Sequence, residues 1–195
     1  MKLPESFYIR SNVTIIARQL LGKILTTKID GEVTSGVIVE TEAYSDKERG
    51  SHAFRGMTKR NEVMFDQGGK AYVYLCYGVH EMFNVVTNRE KKADAILIRA
   101  LEPLEGIETM LKRMNKSSPV RITSGPGKLT KALGIDRKLN GEQLGTNKIW
   151  IEDSGVKIKP ADIMSSPRIG IDYAGDDALL PWRFTIRENK WISKK

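Results

Sequence analysis

Apolar residues Ile15, Ile16, Leu20 and Leu21 recur at helical spacing and predict a helix, capped by Ser11 or Asn12 and stopped by Gly22. The period then changes. "KILTTKIDGEVTSGVIVE" reads as two strands joined at Asp30-Gly31, a strong hairpin signal. A polar run from about 45 to 62 carries no periodic apolar pattern, and loops of that length are usually functional or disordered. "KAYVYLCYGVHEMFNVVTN" predicts strand, tight turn and strand with Tyr77-Gly78 near the tip, and "AILIRALEP" a buried strand. Helices are expected over "EGIETMLKRM" and, after Ser124 and Pro126, in "TSGPGKLTKALGI". Short strands at "KIWIED", "RIGIDYAG" and "RFTIRENKWI" then alternate with turns. Hairpins with helices spread among them describe one mixed α+β domain over residues 1–195, built on an antiparallel sheet.

Charge changes the picture more than composition does. The apolar fraction of 40% and charged fraction of 29% are ordinary, but 32 Lys and Arg against 24 Asp and Glu leave a net charge of +8. Such a domain favours polyanionic partners, nucleic acid first and acidic membrane surface second. Cys76 is the only cysteine, which excludes an internal disulfide and a thiolate zinc cluster. His52 and His80 lack the close spacing of a metal pair, so neither metal nor cofactor is expected. No stretch is long and apolar enough to span a bilayer, and a monomer in a reducing cytoplasm is the expectation.

Several polar residues interrupt this pattern where chemistry could lie. Strand "VIVETEAY" ends on Glu40, Glu42 and Tyr44, which share one face of an extended chain. Neighbouring carboxylates can tune one another towards a working base, or both can pair with cations at a sheet edge; spacing leaves both readings open. Tyr77 at the hairpin tip either wedges between bases or folds back onto the core. Asn84 and Arg99 break apolar runs, and polar groups there need partners or a function. His52 sits in the polar loop, where a solvated histidine is the plain alternative. "SGPGK" places backbone N–H groups at a helix start beside Lys128, a candidate phosphate seat without P-loop spacing.

Taken in order, "VETEAY", "SHAFRG", "AYVYLCYG" followed by Asn84, "LIRALEPLEG", "SGPGKL" and "PRIG" resemble the alkyladenine (3-methyladenine) DNA glycosylase family. The resemblance runs from roughly residue 6 to the C-terminal "RFTIRENKWIS". It implies a curved antiparallel sheet with flanking helices and a protruding hairpin. It also implies a monofunctional base-excision-repair enzyme that flips damaged purines from double-stranded DNA and hydrolyses the N-glycosidic bond. Carried onto this chain, Glu42 is similar to the family's water-activating base, with Arg99 and the backbone carbonyl of Ile169 holding the water. Tyr44, His52 and Tyr74 would stack on the flipped base, and Asn84 would border it where guanine carries its 2-amino group. Tyr77 would fill the hole in the duplex, and Lys128 would meet the DNA backbone. Two rivals stand beside this reading: a non-catalytic damaged-DNA-binding domain and a glycosidase of free nucleosides. The Glu42–Arg99 combination argues against the first, and the wedge hairpin with the net charge argues against the second.

Overall fold

The computed structural model describes residues 1–193. After a single turn, α1 (Glu5–Tyr8), the expected helix forms as α2 (Val13–Leu20). Asn12 is its cap, accepting the Ile15 amide at 3.1 Å. Strands β1 (Ile24–Ile29) and β2 (Glu32–Tyr44) join through Asp30 and Gly31, both at positive φ (54° and 82°), as a primed hairpin turn requires. Strands β3 (Ala71–Cys76), β4 (His80–Thr87) and β5 (Asp94–Glu105) follow, then helices α3 (Ile107–Met114) and α4 (Pro126–Leu133). The chain closes with β6 (Ile149–Glu152), β7 (Ile163–Ser166) and β8 (Arg183–Ile186).

All strand pairings are antiparallel, in the order β3-β4-β5-β2-β1-β6, with β8 also on β2 and β7 on β8. The architecture is therefore the expected α+β one. Strand β2 organises it by changing neighbours. Its first half pairs with β1, while Glu40, Thr41 and Glu42 pair with Thr185, Phe184 and Arg183 of β8. Register shifts against β5 flank Glu40, and such bulges bend a strand and sharpen its twist. The sheet curls into a half-barrel. Both carboxylates thus lie on a central strand, not at a sheet edge.

Period-two alternation sorts the two faces of the sheet. Ala71, Val73, Phe83, Val85, Ile96 and Ile98 enter the main core, together with Leu129 and Leu133 of α4. Thr41 points to the same side, donating to the Ala17 carbonyl of α2 at 3.0 Å. The opposite face carries Tyr72, Tyr74, Asn84, Leu97 and Arg99, and the short 3₁₀ turn Glu62–Phe65 packs on part of it through Val63 and Met64.

The strand expected at "RIGIDYAG" does not form. Strand β7 lies earlier, and Pro167, which has no N–H to donate, follows its last residue. Arg168 then turns inward, and Asp172–Leu179 forms 3₁₀ turns broken at Gly175.

Gly106 caps α3 at φ 72°, and a Cβ there would collide with the Val33 carbonyl oxygen and meet Thr34 Cγ2 at 2.8 Å. Gly106→Ala combines left-handed backbone cost with overpacking and is expected to destabilise the fold by about 2–4 kcal/mol. Chemical denaturation measures this; an unchanged midpoint would mean that the β2–α3 junction relaxes freely.

Candidate active site

This second face forms the floor of a cleft of about 560 Å³. Tyr44, His52, Tyr72, Tyr74, Asn84, Arg99 and Ile169 all contribute to its walls, so β2, β3, β4, β5, the 45–62 loop and the segment after β7 meet there. Glu42 does not reach the cleft surface. Its carboxylate is fully buried behind three residues that do. Oε1 accepts the Ile169 amide at 2.7 Å, and Oε2 accepts the Tyr44 hydroxyl at 2.8 Å and Arg99 Nη1 at 3.2 Å. Ile169 thus meets the carboxylate through its N–H. Burial and the adjacent Glu42 carboxylate push the Tyr44 phenol well above its usual pKa, so it stays a donor.

Arg99, also buried, shares its charge between two acids. Nη1 goes to Glu42, while Nε donates to Glu40 Oε1 at 3.1 Å. Burial alone would lower its pKa, but Glu42 and Glu40 outweigh that cost and raise it. The two carboxylates are therefore ion-paired on a central strand and not at a sheet edge, with Glu42 directly behind the cleft wall.

The aromatic wall follows from strand parity and one ordered loop. Tyr72 and Tyr74 project from the same face of β3, with ring centroids 5.4 Å apart. His52 packs against Tyr74 with centroids 4.6 Å apart, and its Nδ1 lies 3.0 Å from the Tyr72 hydroxyl. Asn61 orders the loop by donating to the His52 and Gly56 carbonyls at 2.8 and 3.0 Å. His52 is thus no solvated loop residue. Burial and the nearby Arg60 guanidinium lower its pKa to about 4, and burial raises that of Tyr72 to about 12. Asn84 is held by donation to the Tyr72 carbonyl at 3.2 Å.

Tyr77 is 94% exposed at the tip of the β3–β4 hairpin, which rules out folding back onto the core. The turn closes through the Val79 amide on the Cys76 carbonyl at 3.1 Å, with Tyr77 at φ 50° and Gly78 at 73°. A tyrosine in the left-handed region is uncommon and costs on the order of 1–2 kcal/mol. Lys128 stands apart from the cleft. It is exposed on the first turn of α4 and borders a smaller depression with Lys116 and Arg121.

Sequence reasoning overlooked the clamp that assembles these parts. Arg168 donates bidentately to Glu48 at 2.7 and 2.8 Å, and also to the Ala43 and Asp177 carbonyls at 2.9 and 3.0 Å. Its guanidinium lies over the Tyr44 ring, 4.6 Å from the centroid. One side chain thereby fixes Tyr44, the loop before His52 and the peptide that presents the Ile169 amide. The only signal was an arginine directly after Pro167.

The cleft thus sets a buried acid behind an aromatic wall on a protein of net charge +8. The profile of the methylpurine-DNA glycosylase family matches residues 6–190. A protein of Carboxydothermus hydrogenoformans provisionally named 3-methyladenine DNA glycosylase is 48% identical over 195 residues, covering all of both chains. Provisionally named relatives of Desulfitobacterium hafniense and Methanocella arvoryzae are 41% and 45% identical, covering at least 99% of this chain and 99% and 96% of their own. The chain belongs to the methylpurine-DNA glycosylase family. It is a DNA glycosylase, a hydrolase of N-glycosyl bonds that acts on DNA in repair. Among the described residues no helix is long and apolar enough to cross a membrane.

The depressed pKa of His52 has a measurable consequence. The unfolded chain binds this proton near pH 6.5, whereas the fold resists it until about pH 4. Its neutral burial is therefore cost-free above about 6.5 and destabilises as pH falls towards 4, by at most on the order of 3 kcal/mol. Stability of the parent should decline more steeply across that window than that of His52→Gln. Parallel denaturation profiles from pH 7 to 4 would contradict the neutral, buried imidazole.

Proposed function

We propose that this glycosylase flips alkylated or otherwise damaged purines of the 3-methyladenine type out of duplex DNA and hydrolyses their glycosidic bond with a water activated by Glu42. The carrying observation is the position of Glu42, buried directly behind Tyr44, Arg99 and Ile169 at the wall of an aromatic cleft. A flipped base stacks among Tyr44, His52 and Tyr74. As it does so the Tyr44 hydroxyl yields Oε2 to a water, which Arg99 helps to hold. Glu42 takes the water's proton as the oxygen attacks the sugar carbon, and its charge stabilises the oxocarbenium-like sugar. A cationic alkylated purine leaves with little help, so this chemistry needs no metal. Asn84, fixed by Tyr72, stands as a rigid group that rejects ordinary guanine by clash and unpaired polar groups. Tyr77 replaces the extruded nucleotide in the stack, and Lys128 contributes to the basic surface along the DNA.

Glu42→Gln keeps size and reach but cannot accept the proton, so single-turnover release of methylated purines from duplex DNA should vanish while lesion binding persists. Release at a near-parental rate would move the base elsewhere. Binding without release by the parent protein would favour the non-catalytic binding domain.

Tyr77→Ala should weaken the flipped state by roughly 5- to 150-fold, the worth of ~1–3 kcal/mol of base–aromatic stacking. The readout is 2-aminopurine fluorescence beside a lesion in duplex, compared with binding to an already unpaired lesion. An equal deficit on both substrates would count against the wedge.

A further inference from the structure

Glu40 has no place in the mechanism above, yet it is as deeply buried as Glu42 and more heavily bonded. Oε1 accepts Arg183 Nε at 2.7 Å, Ser193 Oγ at 2.8 Å and Arg99 Nε at 3.1 Å, and Oε2 accepts the Ser193 amide at 2.7 Å. Ser193 Oγ also lies 3.5 Å from Arg99 Nη2. Neutralising Arg183 would need one carboxylate oxygen, not this convergence of three chain segments.

The geometry matters for how Arg99 meets Glu42. A guanidinium facing a single carboxylate prefers a parallel, two-bond fork. That arrangement would cover both Glu42 oxygens and exclude water. Here the Nε edge is taken by Glu40 and Nη2 is turned towards Ser193, which leaves only Nη1 for Glu42. We propose that Glu40 is a positioning residue that keeps Arg99 on a single bond to Glu42, and that Ser193 of the C-terminal segment is a second positioning residue, which fixes Glu40. This rests on the reading of Glu42 as the base. Ser193 reaches Glu40 from the far end of the chain, so the final turn of the fold sets the acid behind the arginine.

Single-turnover excision from methylated duplex, with the dissociation constant of the same duplex measured alongside, tests this. Glu40→Gln turns an NH₂ towards the donors that Glu40 now accepts, and should slow excision at least about tenfold with DNA affinity little changed. Ser193→Ala should slow it by roughly fivefold, the worth of one buried hydrogen bond, and Ser193→Thr, which keeps the hydroxyl, should restore the parental rate. Where Glu40→Gln does not fold by thermal melting, the alanine–threonine pair decides. Glu42→Gln in the same assay separates the two readings, since release by that variant would overturn the base assignment itself. If Glu42→Gln is silent while Glu40→Gln and Ser193→Ala excise at the parental rate, this proposal alone is overturned. Equal losses in Ser193→Ala and Ser193→Thr, or a loss seen only as weaker DNA binding, overturn it as well.

Discussion

Arg99 between two buried carboxylates is the interaction that the rest of the structure serves. Taking charges out of water costs several kcal/mol per ion, and the attraction between them offsets that only when geometry is good and every donor is used. The guanidinium comes from β5, both acids come from β2, a second arginine comes from β8, and a serine comes from the C-terminal segment. Those pieces converge only if β2 leaves β1 and takes β8 as its neighbour at Glu40. The curl of the sheet and the chemistry of the cleft therefore share one cause.

A second arginine performs a similar task with different material. Arg168 holds loop to strand through Glu48 and carbonyl groups, and its flat cation supports the Tyr44 ring. Together the two guanidiniums confine the Glu42 carboxylate and the phenol that covers it. Around them the aromatic wall is uncharged: His52 is neutral at physiological pH and the phenols resist ionisation. The cations at the cleft are guanidiniums, Arg60 over the Tyr74 ring and Arg99 at the wall, while Lys128 lies outside it.

Much of this was legible because it is local. The Asn12 cap, the Asp30-Gly31 turn, the alternation of β3 to β5 and the Tyr77-Gly78 tip depend on a few consecutive residues, and all appear where the pattern put them. Tyr44, His52, Tyr74, Asn84, Arg99 and Ile169 do line one cleft, as their interruptions of the apolar pattern and the family resemblance together suggested. What escaped was non-local or conformational. Glu48 and Arg168 are separated by 120 residues, and Glu40 and Ser193 by 153, beyond any periodicity. "RIGIDYAG" alternates like a strand, but Pro167 and the inward pull on Arg168 prevail. Lys128 shares a helix start with the cleft-lining Pro126, yet two residues, about half a helical turn, carry it to a different surface.

The hairpin that carries Tyr77 is braced from behind. Gly127 of α4 approaches His80 so closely that a Cβ at 127 would lie 2.9 Å from the His80 Cβ and Cγ atoms. His80 opens the return strand, directly opposite Cys76 and within three residues of the tip. The helix therefore acts as a backstop to a lever. Any load on the tip would be borne by the α4 backbone and the core beneath it, so the hairpin keeps its reach instead of bending away.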